Sequence, residues 1–482
     1  MIETFTVDSI VSGISAGFTV GTSDKSGISG GFIGECISGR ARNTKISNLK
    51  SVTASETSGK AGGFVGYAKA GDALANAGDS VTSSGLPAGI EIENLLGVVS
   101  ALRPEFNNTS IDYVSAGKDP QVSADMAGGF VGDGQAVDIN YGNNNSGFKA
   151  DTNSEDGTTE GEAGAIATTN ITGLSYIKGT SYAGGFAGRL MPGDVAQTGS
   201  IKLLGLLNVN QLLSVMDVAY PRISDSSIEG NNLVVTASGK NDDVALGDAG
   251  GYIGNGKAVM VKNSDVTNVK EVTAPYHAGG YIGIMRSGSA AEAGDATGDL
   301  LNNVLGKILS LKELASVLQA ASSKITNCKV AGTADGLTVT ADSGFENAEG
   351  YAGGFVGEMQ SGHVDNSANA VDSGKGTAVE NLLKVEGLRY AGGFGGLVKA
   401  GAVAEIGAKS SILTKLVDLT GLLSLVNAFV PVISNASVNS VEKGFTVTVT
   451  GTLEKDSPTM RMLEVPEALS DAELVYRSAI PM

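Results

Sequence analysis

Tryptophan is absent from the 482 residues, and histidine and cysteine occur only twice each, as His277, His363, Cys36 and Cys328. The histidines do not form a His-Glu-x-x-His pair, so a zinc-protease site is excluded and both are expected on the surface or in turns. The cysteines are separated by most of the chain, so no intrachain disulfide is expected. Cys328, between strand-forming neighbours, is expected to be a small buried apolar residue.

Positive charge is also scarce. Acidic residues outnumber basic ones by 51 to 33, which gives a net charge of -18, and no basic stripe stands out along the sequence. Phosphates would be repelled along such a surface, so a nucleic-acid partner is not expected. The most apolar stretch, 412–433, contains Lys415, Asp418 and Asn427. It is therefore not expected to cross a membrane, and no transmembrane segment is predicted.

The N-terminus shows neither a basic stretch nor an apolar core, so no signal peptide is predicted. The repeats described below begin at once, without a capping element, whereas solenoids need polar caps to stay soluble. We therefore expect the chain to be a segment of a longer exported protein.

Glycine is abundant, with 69 residues, and it recurs in one short box. The box is Gly-Gly, an aromatic residue, usually an aliphatic residue, and Gly, as in 353–357. Its eight copies carry the aromatic residues Phe32, Phe64, Phe130, Phe186, Tyr252, Tyr281, Phe355 and Phe394. A box that recurs at irregular intervals predicts stacked layers with insertions between them.

The box is suited to a strand layer rather than to a phosphate loop. Successive strand residues face opposite sides, so in 351–357 Phe355 shares a face with Gly353 and Gly357. Glycines at fixed positions let backbones approach closely, and the aromatic residue of one layer can then lie over that of the next. A phosphate loop would need a helix directly after the box, but polar turn residues follow it.

Other recurring segments complete the predicted layer. Ile-Ser/Thr-Asn/Asp occurs at 223–225, 325–327 and 433–435, and each copy is followed by a Thr- and Val-rich run. These residues favour strands and the bends between them. We expect one layer to contain three short strands joined by three turns.

The eight boxes come in four consecutive pairs along the chain, with the aromatic residues Phe32/Phe64, Phe130/Phe186, Tyr252/Tyr281 and Phe355/Phe394. Leucine, valine and isoleucine recur at helical spacing after the second box of each pair. This predicts about four amphipathic helices or helical hairpins packed on the outside of the solenoid, near 90–102, 201–218, 299–321 and 411–430. The predicted organisation is a solenoid over 1–453 and a C-terminal cap or linker over 454–482. The fold class is mainly β.

The box at 353–357, followed by 361–366 (Ser-Gly-His-Val-Asp-Asn), resembles the GLUG-type motif of bacterial cell-surface proteins, including some peptidases that act on immunoglobulin A. The stretch 31–41, followed by 46–48, is similar with Phe in place of Leu. The resemblance implies a right-handed parallel β-helix in an adhesin-like, extracellular surface protein. The peptidase activity of such proteins lies outside these repeats and is not carried over.

Three groups of residues are candidates for a catalytic site, a metal site or a ligand-binding face. Asp242 and Asp243 beside Lys240, with Arg222 in the preceding layer, are the nearest approach to the carboxylate cluster of a polysaccharide lyase or glycoside hydrolase. The acidic stretch 151–162 is a weak candidate for Ca²⁺, although its glycine is misplaced for an EF-hand. Ice binding is a third hypothesis and requires a flat, regular threonine face, but Thr338 and Thr340, or Thr446, Thr448 and Thr450, give only local ladders, and the predicted helices would spoil the flatness.

The sequence therefore favours a structural or adhesive module without catalysis, catalytic residues, cofactor or metal. Its expected partner is a glycan or protein on a host or cell surface. The alternative is a carbohydrate-active β-helix enzyme.

Overall fold

The computed structural model describes residues 6–12, 17–71, 103–141, 167–193, 220–241, 245–288, 322–342, 349–367, 376–400 and 430–451. Every regular element in these ranges is a β-strand, β1 to β35. The strands run parallel in stacks, apart from one short antiparallel pair formed by β16 (Lys240–Asn241) and β17 (Ala245–Leu246). The described chain is therefore mainly β with parallel strand stacks, which is compatible with a β-solenoid.

Five stacks can be followed from coil to coil. Stack 1 contains the strands that end on the first glycine of each box: β3 (Ile28–Gly30), β6 (Lys60–Gly62), the ends of β9 (Val122–Gly128) and β12 (Thr169–Gly184), β18 (Asp248–Gly250), β22 (His277–Gly279), β27 (Tyr351–Gly353) and β31 (Tyr390–Gly392).

Stack 2 is a separate eight-stranded sheet that begins after each box aromatic. Its strands are β4 (Ile33–Ile37), β7 (Val65–Lys69), β10 (Val131–Gln135), β13 (Ala187–Met191), β19 (Ile253–Lys257), β23 (Ile282–Arg286), β28 (Val356–Gln360) and β32 (Gly395–Lys399). Their order in the sheet is their order in the sequence, so the eight boxes occupy eight successive coils.

Stack 3 follows around the next turn. It contains the starts of β1 (Thr6–Ser12), β5 (Arg40–Thr53) and β8 (Glu105–Tyr113), then β11 (Asp138–Ile139), β14 (Arg222–Ser224), β20 (Met260–Lys262), β24 (Lys324–Thr326), β29 (His363–Asp365) and β33 (Val432–Ser434).

Stacks 4 and 5 complete the coil, and several long strands contribute to both. Stack 4 contains the later parts of β1 and β8, the middle of β5, the first parts of β12, β15 (Ser226–Ala237), β21 (Asp265–Ala274) and β30 (Gly376–Gly387), with β25 (Val330–Gly332) and β34 (Ala436–Ser440). Stack 5 contains β2 (Phe18–Gly21), β26 (Leu337–Ala341), β35 (Thr446–Val449) and the later parts of the long strands. A full coil thus has five strand segments rather than the expected three.

Asparagine explains the bend between stacks 3 and 4. Asn108, Asn263 and Asn327 have φ values of 51°, 49° and 53°, a left-handed conformation that asparagine tolerates better than most residues. Their side chains also join coils: the Asn263 amide donates to Asp225 at 3.0 Å, and the Asn327 amide donates to Asn263 at 3.3 Å. The recurring Ile-Ser/Thr-Asn/Asp segment is therefore a strand of stack 3 followed by this bend.

The interior is filled by columns of apolar side chains that follow the same register. One column in stack 4 runs through Ile46, Ile111, Ile171, Ile228, Val266, Val330 and Val379, all 0–1% exposed. Because strand residues alternate between faces, each such column faces the interior while its neighbours face solvent. The core is continuous through the coils.

The predicted fold class is wrong about helices. The described residues contain no α-helix, and the described surface of the stacks is formed by strands and turns alone. The ranges 90–102, 201–218, 299–321 and 411–430 lie outside the described residues except for Val430, as does 454–482. The reason for the error is that helical spacing of leucines was the sole argument, whereas the described chain buries its apolar residues with the period of two that strands impose.

Candidate functional site

The eight box aromatics form one ladder through the interior. Neighbouring ring centroids, from Phe32 to Phe394, are 4.9–5.2 Å apart. From Phe64 onward the planes of neighbouring rings differ by 13° or less. Six of the rings are fully buried, and only the terminal Phe32 and Phe394 are partly exposed. The ladder is therefore a packing element that leaves no interior ring face open to a ligand.

The last glycine of each box lets stack 2 press against stack 1. A side chain built on Gly132 would lie 2.6 Å from the Gly66 carbonyl oxygen and 2.7 Å from that of Ala61. Equivalent glycines in the later coils are equally crowded. The exception is Gly34 in the first coil, where the nearest atom would be 3.5 Å away. The glycines thus serve close approach of backbones between coils.

Where stacks 1 and 2 meet, charged side chains form a row along the outside of this contact, which we call the seam. Its members are Lys60, Asp133, Arg189, Asp248, His277 and Glu358. Asp133, fully buried, accepts two hydrogen bonds from Arg189 at 2.9 and 2.8 Å and pairs with Lys60 at 2.8 Å. Burial alone would raise the pKa of Asp133, but Arg189 and Lys60 hold it below its usual value. This carboxylate is ionised and neutralised within the stack.

His277 connects two further carboxylates of the seam. Its Nδ1 lies 2.6 Å from Asp248 Oδ1 and its Nε2 lies 2.8 Å from Glu358 Oε2. Burial would lower the pKa of His277, but the charges and hydrogen bonds of Asp248 and Glu358 raise it to about 9. Burial would raise the pKa of Glu358, but His277, Lys399 and Gln360 lower it to about 2. Both ring nitrogens are engaged, so His277 bridges the two carboxylates and is not placed to act as a general base.

The structure does not assemble the catalytic cluster considered from the sequence. Lys240 pairs with the buried Asp125 at 2.7 Å, and Arg222 pairs with Asp138 at 3.1 Å. Asp138 also lies 3.5 Å from the buried Arg103. Lys240 and Arg222 thus belong to different ion pairs, while Asp242 and Asp243 lie outside the described residues.

The remaining candidates from the sequence are the metal site and the two cysteines. Among the described residues no group of three His, Cys, Asp or Glu side chains could hold a metal ion. The Ca²⁺ candidate 151–162 lies outside the described ranges. Cys36 and Cys328 are free and buried, and burial raises their thiol pKa values to about 11 and about 12.

Charged residues interrupt the threonine ladders on stack 5. Thr338 and Thr340 face Lys384 and Glu386 on the next strand, and these face Thr446 and Thr448 on the strand after it. Lys384 and Glu386 form an ion pair. A regular hydroxyl face is therefore broken between the two threonine pairs.

A basic corner lies where stack 2 turns into stack 3 in the fifth and sixth coils, and sequence reasoning missed it. We define it by Lys257, Lys262, Arg286 and Lys324. Lys257 is the strand partner of Arg286, and Lys324 is the partner of Met260, two residues before Lys262. The signal exists only in the register, because Arg286 and Lys324 are separated by a long insertion in the sequence.

Comparisons with protein-family models, with curated proteins and with solved structures give no match to this chain. In the part of the chain that the structure describes, no helix is long and apolar enough to cross a membrane.

Proposed function

We propose that the chain is a non-catalytic structural or adhesive module of a bacterial surface protein. It is a β-solenoid that presents its outer faces to a glycan or protein on a host or cell surface. Extracellular location and membership of a longer surface protein are part of the proposal, and they rest on the GLUG-type resemblance of the boxes.

The proposal that the chain is not catalytic rests on one observation. The six charged side chains that are buried in the described ranges are Arg103, Asp125, Asp133, Asp138, Asp248 and Glu358. Each has an oppositely charged partner within 3.5 Å. General acid–base chemistry needs a carboxyl group that can exchange a proton near neutral pH. Carboxylates already paired with cations are suited to hold coils together instead.

Stiffness supports the same proposal. Eight coils stack with shared aromatic, aliphatic and asparagine columns, and at about 4.8 Å per coil they extend roughly 40 Å. Each coil is hydrogen-bonded to the coils on either side, so the described stack is suited to hold its outer faces in a fixed arrangement.

A carbohydrate-active enzyme is the second candidate, because Asp133, Asp248 and Glu358 lie along one seam together with Lys60 and Arg189. Clustered carboxylates beside a cation are what polysaccharide cleavage requires.

One experiment separates the two functions. The purified chain is incubated with a panel of acidic and neutral polysaccharides, and both retention on the immobilised polymers and release of new chain ends are measured. The adhesive proposal expects retention without release of chain ends. Time-dependent release that disappears in Glu358→Gln would refute it and establish the enzyme.

A further inference from the structure

Three cations of the basic corner have no ion-pair partner among the described residues. No described carboxylate forms an ion pair with Lys262, Arg286 or Lys324, although ion pairs elsewhere join coil to coil, as between Arg40 and Glu105 at 3.2 Å. Lys262 and Lys324 are exposed, and Arg286 is half-buried. Lys262, Arg286 and Lys324 therefore form a positive patch on an acidic protein.

Hydrogen-bond donors at the corner are also unsatisfied. Both Arg286 Nε and the Ser287 hydroxyl are buried from solvent and have no hydrogen-bond partner. Buried polar groups are paired in nearly all native structures, because leaving one unpaired costs about 1–3 kcal/mol. The unsatisfied donors of Arg286 and Ser287, together with the two unpaired lysines Lys262 and Lys324, indicate a place for an anion.

Neighbouring hydrogen bonds hold the corner in shape. The Ser323 hydroxyl donates to the Arg286 carbonyl at 2.6 Å and accepts from the Val259 N–H at 3.1 Å. Lys324 N–H donates to the Val259 carbonyl at 2.7 Å. The backbone that carries the cations of both coils is thus cross-linked, and the positive groups are held in place before any ligand arrives.

The other titratable groups near the corner do not neutralise it. His363 is the strand partner of Lys324, and burial and the charge of Lys324 lower the pKa of His363. Asp365 is bound to Asn435 and Ser367. Glu358 is bound to His277 and Lys399. The nearby acids are already engaged.

We propose that the basic corner binds the carboxylate or sulfate groups of an acidic polysaccharide. Arg286 supplies a planar guanidinium, Ser287 a hydroxyl, and Lys262 and Lys324 exposed point charges. This inference rests on the proposed adhesive function and names its partner class.

A polymer fits better than an isolated anion because the unpaired cations lie on two successive coils, with Lys262 on the fifth and Arg286 and Lys324 on the sixth. Adjacent strands are about 4.8 Å apart, so a linear chain with repeated anionic groups can lie along the stack. Duplex DNA is also a linear polyanion, so its binding is one outcome of the test.

The test measures binding of the full chain to immobilised polygalacturonate and heparin, with dextran as the neutral polymer and duplex DNA as the polyphosphate. The corner variant combines Lys262→Gln, Arg286→Gln and Lys324→Gln. The control combines Lys45→Gln, Lys178→Gln and Lys384→Gln, which removes the same charge from stacks 4 and 5. The single variant Lys324→Gln, at an exposed position, covers the case in which the triple variant does not fold.

We expect the corner variant to bind an acidic polysaccharide at least about tenfold more weakly and with a reduced salt dependence, while the control stays within about twofold. Lys324→Gln alone should lose part of this affinity. Equal loss in both triple variants, no loss from Lys324→Gln, or DNA binding as strong as polysaccharide binding would overturn the inference. Free sulfate or galacturonate competing as well as the polymer would show a site for small anions and would also overturn it.

Failure of the corner can be told apart from failure of the proposed function. If the wild-type chain binds polysaccharide and the corner variant binds it equally, the adhesive function stands and the corner is wrong. If the wild-type chain releases chain ends, the adhesive function itself fails.

Discussion

The last glycine of the box offers a direct test of coil-on-coil packing, because the same position occurs with and without a coil beneath it. Gly132 lies in the third coil, where an added Cβ would be 2.6 Å from the Gly66 carbonyl oxygen. Gly34 lies in the first described coil, where the nearest atom to an added Cβ, the Ile28 carbonyl oxygen, would be 3.5 Å away. Alanine should therefore have opposite effects at the two positions.

The magnitude follows from what must move. Relieving the clash at Gly132 requires a shift of close to 1 Å in backbone that is hydrogen-bonded to the coils on either side. Overpacking against side chains costs about 1–3 kcal/mol, and backbone yields less easily, so Gly132→Ala should destabilise the chain by at least about 3 kcal/mol. Gly34 has a backbone conformation open to alanine, and Gly34→Ala should stabilise by about 0.4–1 kcal/mol through the unfolded state.

The measurement is urea unfolding of the full chain followed by far-ultraviolet circular dichroism, with the slope of the transition compared between variants. Equal destabilisation by both substitutions would mean that glycine is required for local backbone conformation and not for contact between coils. A neutral Gly132→Ala would refute the packing argument altogether.

Three further predictions concern the ladder and the seam. Phe130→Ala removes a buried ring stacked between Phe64 and Phe186 and should lower the free energy of unfolding by about 3–5 kcal/mol. Phe32→Ala, at the end of the ladder, should lower it clearly less. Equal losses in urea titrations would contradict the contribution of stacking. Asp133→Asn should lower the free energy of unfolding by about 3–5 kcal/mol, because the partly buried Lys60 and Arg189 lose their partner. Glu35→Gln, which removes a surface ion pair with Lys69, should lower it by no more than about 1 kcal/mol. A larger loss for Glu35→Gln than for Asp133→Asn in the same urea titrations would contradict this. The pKa of His277 is raised to about 9 in the folded state, so its contribution to the free energy of unfolding is fully present below about pH 6.5 and is lost as pH rises through 9. Stability should fall over that window, and His277→Gln should flatten the fall. An unchanged pH profile of thermal unfolding in this variant would show that the ion pairs of His277 do not stabilise the fold.

The boxes could be read from the sequence because they use local rules. Alternation along a strand gives Phe355 and Gly357 the same face, and eight repetitions predict a stack without knowledge of any distance. The parallel strand stacks agree with that expectation. The number of strand segments per coil was underestimated because bends such as the one at Asn268 occur within one continuous polar and β-branched run, with φ at 57° but no glycine or proline to mark it.

What could not be read are contacts that depend on register across insertions. Asp133 and Arg189 are 56 residues apart, and their pairing requires that the intervening segment return the chain to the adjacent strand at the matching residue. His277 is equally uninformative in sequence, because Asp248 and Glu358 are brought to it from two different coils. The predicted helices failed for the complementary reason: spacing of leucines carries no information about whether a segment packs on the stack.

Stacked coils restrict how charged residues can be placed along a column of strand partners. In register, identical positions lie about 4.8 Å apart, so a column of like charges repels itself and is tolerated only where something offsets it. The described stack mostly avoids this by alternating signs between coils, as in Lys45 with Asp112 at 3.1 Å and Lys329 with Glu380 at 3.2 Å. Like charges do meet as direct strand partners at some places, as between Glu105 and Asp138. There the repulsion is offset inside the protein, because Arg40 lies 3.2 Å from Glu105 and Arg103 lies 3.5 Å from Asp138.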